Sequence, residues 1–212
     1  MLSLIFVHQV IAQKSYEFHG GLLTSQFSGD GFNGYRKFGF TGGAGVLMPL
    51  KKEGHFFALG LNYIQKGARD RKNEEEGDFN DYSLQMDYLE LPVTYWLPIW
   101  GVYFEGGLSA AYRVKFKQLN NGIPAVAPVN LRRLELGLQA GFNVQINDHL
   151  LFGFKVLNSL TPVYSNASVP ANFWFQQGGM HSVLMIDLKY FLTAPNFVWI
   201  KKKSNPEGSN KK

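Results

Sequence analysis

The chain has no cysteine, which excludes disulfide frameworks and thiolate metal sites. Charge is scarce: Asp, Glu, Lys and Arg make up 17% of its 212 residues, below the roughly 25% usual for globular domains. No apolar run reaches the roughly 18 residues that a membrane-crossing helix needs. That absence leaves a transmembrane barrel open, because a barrel strand is apolar only at every second position. No stretch has a convincing helical period with caps. The basic excess, a formal net charge of +5, is concentrated in Lys201, Lys202, Lys203, Lys211 and Lys212; without that tail the chain is close to neutral. With no nucleic-acid motif beside it, the tail reads as a solvated basic segment, and no nucleic-acid partner is expected.

What the chain does have is Gly (23), Phe (18) and Tyr (10), arranged with a period of two. From Arg133 to Ile146 it reads R-L-E-L-G-L-Q-A-G-F-N-V-Q-I, with Leu134, Leu136, Leu138, Ala140, Phe142, Val144 and Ile146 on one face. Such alternation marks a half-apolar β-strand, and its length suits the about 9–11 residues of a strand crossing a bilayer. Eight segments alternate in this way: Tyr16–Gln26, Arg36–Met48, His55–Arg69, Asp81–Leu97, Val102–Gln118, Val129–Ile146, Leu150–Tyr164 and Met180–Leu192. The connections between them alternate long and short, as in an outer-membrane barrel with tight turns at one end and long loops at the other. The fold expected is all-β, an eight-stranded antiparallel up-and-down transmembrane β-barrel.

The apolar face is expected to meet lipid, because a soluble barrel wearing such a belt would aggregate. The polar face would then look inward and carry Lys66, Glu90, Glu105, Arg113, Arg133, Glu135, Lys155, Asp187 and Lys189. Eight strands enclose only enough space for side chains, so these charges are expected to pair as a structural plug. Gly39, Gly43, Gly45, Gly107, Gly137 and Gly141 would make room for them. Trp96, Trp100, Tyr190 and Phe191 are expected to form an interfacial aromatic girdle. Residues 1–12 read as a signal peptide lacking its charged start, 13–192 as the barrel, and 193–212 as a basic periplasmic tail. Both termini would then be periplasmic, and the location is the cell outer membrane.

Candidate sites are few. Phe173-Trp174-Phe175, in the longest connection, could form a lid over the barrel mouth or anchor a partner. Glu74, Glu75, Glu76, Asp78 and Asp81 crowd one loop without the ordered spacing of a calcium site, so the loop reads as solvated. His181-Ser182 is no hydrolase pair, since adjacent strand residues face opposite ways. No catalytic residue, metal site or cofactor is expected.

Two blocks, L-N-Y-I-Q-K-G-A-R (Leu61–Arg69) and Y-L-E-L-P-V-T-Y (Tyr88–Tyr95), give the chain a family likeness. With the early G-G-L-L-T-S-Q-F-S-G-D (Gly20–Asp30) and the later Y-F-E-G-G (Tyr103–Gly107), it resembles the PorT-like outer-membrane β-barrel family of the Bacteroidetes group. In that resemblance Lys66, Glu90 and Glu105 stand at family-typical positions. It implies a small integral outer-membrane protein with a structural or accessory role, a subunit of a type IX-like secretion complex or of an envelope-assembly complex. The alternatives are a barrel enzyme acting on lipids and a narrow solute channel. The partners expected are outer-membrane lipid and other envelope proteins.

Overall fold

A computed structural model describes residues 14–28, 34–70, 81–125, 131–163, 179–195 and 197. The strands are β1 (Ser15–Ser28), β2 (Lys37–Pro49), β3 (Phe56–Asp70), β4 (Tyr82–Ile99), β5 (Val102–Asn120), β6 (Ile123–Pro124), β7 (Leu134–Gln145), β8 (Leu150–Ser159) and β9 (Met180–Phe191). All pairings are antiparallel and run from neighbour to neighbour, with β1 against β9 closing the ring. The two-residue β6 lies outside that ring. It pairs only with the tip of β5, extending β5 beyond the wall as a short hairpin. The wall is therefore the expected closed barrel of eight antiparallel strands, with no helix among the described residues.

Turn chemistry shapes both ends. Trp100 (φ 52°) with Gly101 (φ 79°) joins β4 to β5, and Asn121 (φ 53°) with Gly122 (φ 77°) joins β5 to β6. Two consecutive left-handed residues are the geometry of a type I′ turn, whose twist matches the strands it connects. Asn and Gly take that conformation readily; Trp100 takes it at a cost and is 89% exposed. The other tight connections, 50–55 and 146–149, lie at the same end as the Trp100 turn, and the long ones, 29–36, 71–81, 121–133 and 160–179, at the opposite end.

The outer wall carries an apolar belt that includes Phe18, Leu22, Leu61, Leu91, Leu108, Leu136, Leu138, Ile186 and Leu188, all exposed. From Leu134 to Val144 the belt runs about 33 Å along β7, or about 25 Å along the axis at a tilt of about 40°, which matches the apolar band of outer-membrane barrels.

Towards the long connections the pattern inverts, which strict alternation did not foresee. Leu23, Phe27, Ile64, Leu84, Met86, Leu157, Val183 and Met185 pack inside the barrel there as one apolar cluster. Outside, at the same level, stand Thr24, Gln26, Gln65, Gln85 and Ser182. Where a wall rises above lipid into water, the apolar side belongs inside, as in a soluble barrel. The inversion on β5 is made by a bulge. Asp87 pairs with Lys115 but Tyr88 with Arg113, leaving Val114 as the extra residue. One extra residue exchanges the two faces, so Phe116, which unbroken alternation would turn outward, packs against the inner apolar cluster. Lys115 and Lys117, which unbroken alternation would turn inward, stand on the outer wall with their partners Asp87 and Gln85.

A second apolar cluster closes the short-turn end: Leu47, Phe56, Trp96, Tyr103, Leu151, Phe191 and Phe197. Trp96 and Phe191 therefore point into the barrel instead of joining a girdle; Tyr190 and Trp100 point out. Phe197, beyond the last strand, inserts between Tyr103 (ring centroids 4.7 Å), Phe56 (5.5 Å) and Phe191 (5.8 Å).

Candidate functional site

Between the two apolar clusters the lumen holds two ionic clusters. The one nearer the short turns is built on β5, β7, β8 and β9. Lys155 Nζ lies 3.0 Å from Asp187 and 3.7 Å from Glu105. Lys189 donates to Asp187 at 2.7 Å and also to Asn143. Its ammonium sits 5.6 Å from the centre of the Trp96 ring, a cation–π contact. All five polar groups are buried.

Glycines make this crowding possible. Asp187 is flanked across the ladder by Gly21 and Gly153, and Gly141 separates Lys155 from Glu105. A Cβ on Gly153 would lie 2.0 Å from Asp187 Oδ1 and 2.5 Å from Lys189 Nζ. The charges thus occupy the volume that the small residues leave.

The second cluster lies nearer the long connections. Lys66 donates to Glu135 at 2.8 Å and lies 3.9 Å from Glu90. Ser109 donates to Glu90 at 2.9 Å, and Ser159 donates to Glu135 at 2.8 Å. His181 Nδ1 is 2.8 Å from the other Glu135 oxygen, and the His181 backbone N–H donates to Ser159 at 2.9 Å. The imidazole is held between the rings of Phe27 (4.9 Å) and Tyr88 (5.7 Å). Buried charges are costly unless paired and hydrogen-bonded. Here Lys66 and Glu135 each have several partners.

The structure thus brings together Lys66, Glu90 and Glu135 in one cluster and Glu105, Lys155, Asp187 and Lys189 in the other. Of the remaining two, Arg133 does not join them. Arg113 lies near the rim, donates to the Leu131 carbonyl at 3.4 Å and stacks over Phe116. Arg133 is exposed and donates to Tyr112 Oη on the outer wall at 3.2 Å, which corrects its inward placement. Both precede or follow the segment of wall in which β5 and β7 are fully paired, so strand alternation misjudged their surroundings. Phe173, Trp174 and Phe175 lie outside the described residues, as do Glu74, Glu75, Glu76 and Asp78.

His181, Ser109, Ser159 and Asn143 are network members that sequence reading missed. The signal was present for His181, which is in step with Asp187 and Lys189 on β9. Ser182 points outward, between Tyr35 Oη (2.6 Å) and Asn158 Oδ1 (2.7 Å), so it is turned away from His181.

A cavity of about 20 Å³ lies between Glu17, His19, Asn62, Glu105 and Lys155, room for about one water molecule. A wall with an apolar belt outside and a packed interior of paired charges defines an integral outer-membrane β-barrel protein. The family model for the outer membrane protein beta-barrel domain matches residues 11–165, and the chain belongs to that family. Among solved structures it is similar to Neisserial surface protein A, at 9% identity over 84% of this chain and 98% of that one, with a TM-score of 0.55. It is also similar to Ail, the attachment invasion locus protein of Yersinia pestis, solved in complex with the heparin analogue sucrose octasulfate. That match has 12% identity over 84% of this chain and 99% of Ail, with a TM-score of 0.50. At such identities the likeness is one of fold. A search of curated proteins gives no sequence match.

Proposed function

We propose that this barrel is a sealed, non-conducting structural or accessory subunit, and that it acts within a secretion complex of the type IX kind or an envelope-assembly complex. One observation carries the reading. Among the described residues, two ionic clusters and two apolar clusters occupy the lumen around a cavity of about 20 Å³, which favours action through the outer wall and connections. The resemblance of the Y-L-E-L-P and Q-K-G blocks to PorT-like barrels supports the choice of complex. The long connections then face outward from the cell, and both termini lie in the periplasm. The residues Phe173, Trp174 and Phe175 are the first candidates for partner contact.

The test is affinity capture of the tagged full chain from native outer membranes, with mass spectrometry of what accompanies it. Envelope-complex subunits should co-purify with the wild type and be lost with Trp174→Ala. Conductance steps from the purified barrel in a planar bilayer would overturn the sealed reading. Capture of the barrel alone would overturn the accessory one.

A further inference from the structure

We infer that the outer wall carries a binding site for the phosphate groups of an anionic lipid headgroup, formed by Arg69, Lys115 and Lys117 around Asp87. The apolar belt ends at one level across three adjacent strands: Tyr63 on β3, Leu89 on β4 and Tyr112 on β5. Beyond that level on the same outward face stand Gln65, Asp87 and Lys115 on the first rung, Gln85 and Lys117 on the next, and Arg69 on the one after. This is the depth at which headgroups lie. The Val114 bulge turns both lysines outward there; without it they would face the lumen.

Asp87 explains how cations can gather on a wall next to lipid. It is fully buried although it lies on the outer face. Gln85 Nε2 donates to both of its oxygens at 3.0 and 3.3 Å, and the Tyr63 hydroxyl hydrogen-bonds to it as well. Lys115 Nζ lies 3.9 Å away, with its side chain still 60% exposed. Asp87 thus has one cation, Lys115, at ion-pair distance, while Lys117 and Arg69 stand on the next two rungs and Lys37 is in electrostatic range of Arg69, Asp87 and Lys117. The positive charge is in excess, and the Nε of Arg69 is buried with no hydrogen-bond partner among the described residues. The chemistry that completes such a site is a phosphate reaching in from the membrane surface. Arg and Lys make charge-assisted hydrogen bonds to its oxygens, while the acyl chains below rest on Tyr63, Leu89 and Tyr112. This inference needs a lipid-facing wall and does not depend on whether the lumen is sealed.

The experiment is native mass spectrometry of the detergent-solubilised full-length barrel titrated with bis-phosphorylated lipid A and, separately, with its dephosphorylated form. The wild type should retain the phosphorylated form preferentially. A cation beside an anionic surface is worth about fivefold in affinity, so Lys115→Gln/Lys117→Gln should weaken binding about 25-fold. Lys51→Gln/Lys52→Gln, at the short-turn end, should bind as the wild type does. Heat-modifiable gel migration checks that each variant is folded. Equal binding of the two lipid forms would overturn the inference. So would a Lys115/Lys117 variant that titrates like the wild type, or an equal loss in the Lys51/Lys52 variant. If phosphorylated lipid bound only after Glu74, Glu75 and Glu76 were changed to Gln, the acidic segment would be the occupant and the inference would fall.

Discussion

Replacing Asp187 with Asn tests whether the lumen is held by charge balance or merely by filled volume. The substitution keeps the shape and one acceptor oxygen but removes the negative charge that lies 3.0 Å from Lys155 and 2.7 Å from Lys189. The two ammonium groups are then left with Glu105, 3.7 Å from Lys155, and with Glu17 on the far side of the same small cavity. The two close ion pairs, at 3.0 and 2.7 Å, are lost, and breaking a buried pair in this way costs about 3–5 kcal/mol. At 1.4 kcal/mol per factor of ten, the ratio of folded to unfolded barrel should fall by about two to three and a half orders of magnitude. Urea unfolding in lipid vesicles, followed by tryptophan fluorescence and extrapolated linearly, reads that loss directly. The double variant Asp187→Asn/Lys155→Met removes a charge of each sign and should recover most of it, because exchanging a whole buried pair for apolar volume is often neutral or better. A single variant within about 0.5 kcal/mol of the wild type, the range of an inconsequential surface change, would refute the argument. So would a double variant no more stable than the single one.

Three further predictions follow from the wall. Gly153→Ala places a Cβ 2.0 Å from Asp187 Oδ1 and should cost about 1–3 kcal/mol, as overpacking does, in the same urea assay. Leu138→Arg puts a charge in the middle of the β7 belt and should destabilise the barrel in vesicles by about 2–4 kcal/mol, whereas Gln139→Arg, on the inner face, should fail by a different route, through crowding in the lumen. Because the chain has no cysteine, single-cysteine variants report facing cleanly. Lys117→Cys should react with a water-soluble maleimide in intact vesicles and Phe116→Cys should not; the opposite order would remove the Val114 bulge.

Much of the fold was legible because membrane strands repeat a simple pattern. The apolar faces of β7 and β9, the tight turns at 98–101 and 147–149, and inward glycines such as Gly141 all follow from a period of two and from turn chemistry. Seven of the nine charges proposed for the lumen lie in its two clusters for the same reason. The failures share a cause as well. The Val114 bulge changes the face of Phe116 and Lys117 without changing residue composition, and it is visible only in the register against β4. Trp96 and Phe191 looked like interfacial aromatics because a Trp near a turn has the same local sequence whether it points to lipid or to the lumen. His181 was weighed against Ser182, its neighbour in the chain. Its real partner, Glu135, is 46 positions away and is brought close only by the closed ring.

The cluster around Lys155 bears on assembly as well as stability. Its anions come from β5 and β9 and its cations from β8 and β9, so the close pairs that Lys155 and Lys189 make with Asp187 form only when the final strand has docked. A chain caught one strand short would present Lys155 without its 3.0 Å partner Asp187, beside a gap facing lipid, where loosely paired charges oppose insertion. The interior therefore acts as a completeness check: the bilayer accepts the barrel readily only after its last element has arrived. Phe197, packed beneath Phe191 and Tyr103, sets the latch from still later in the chain.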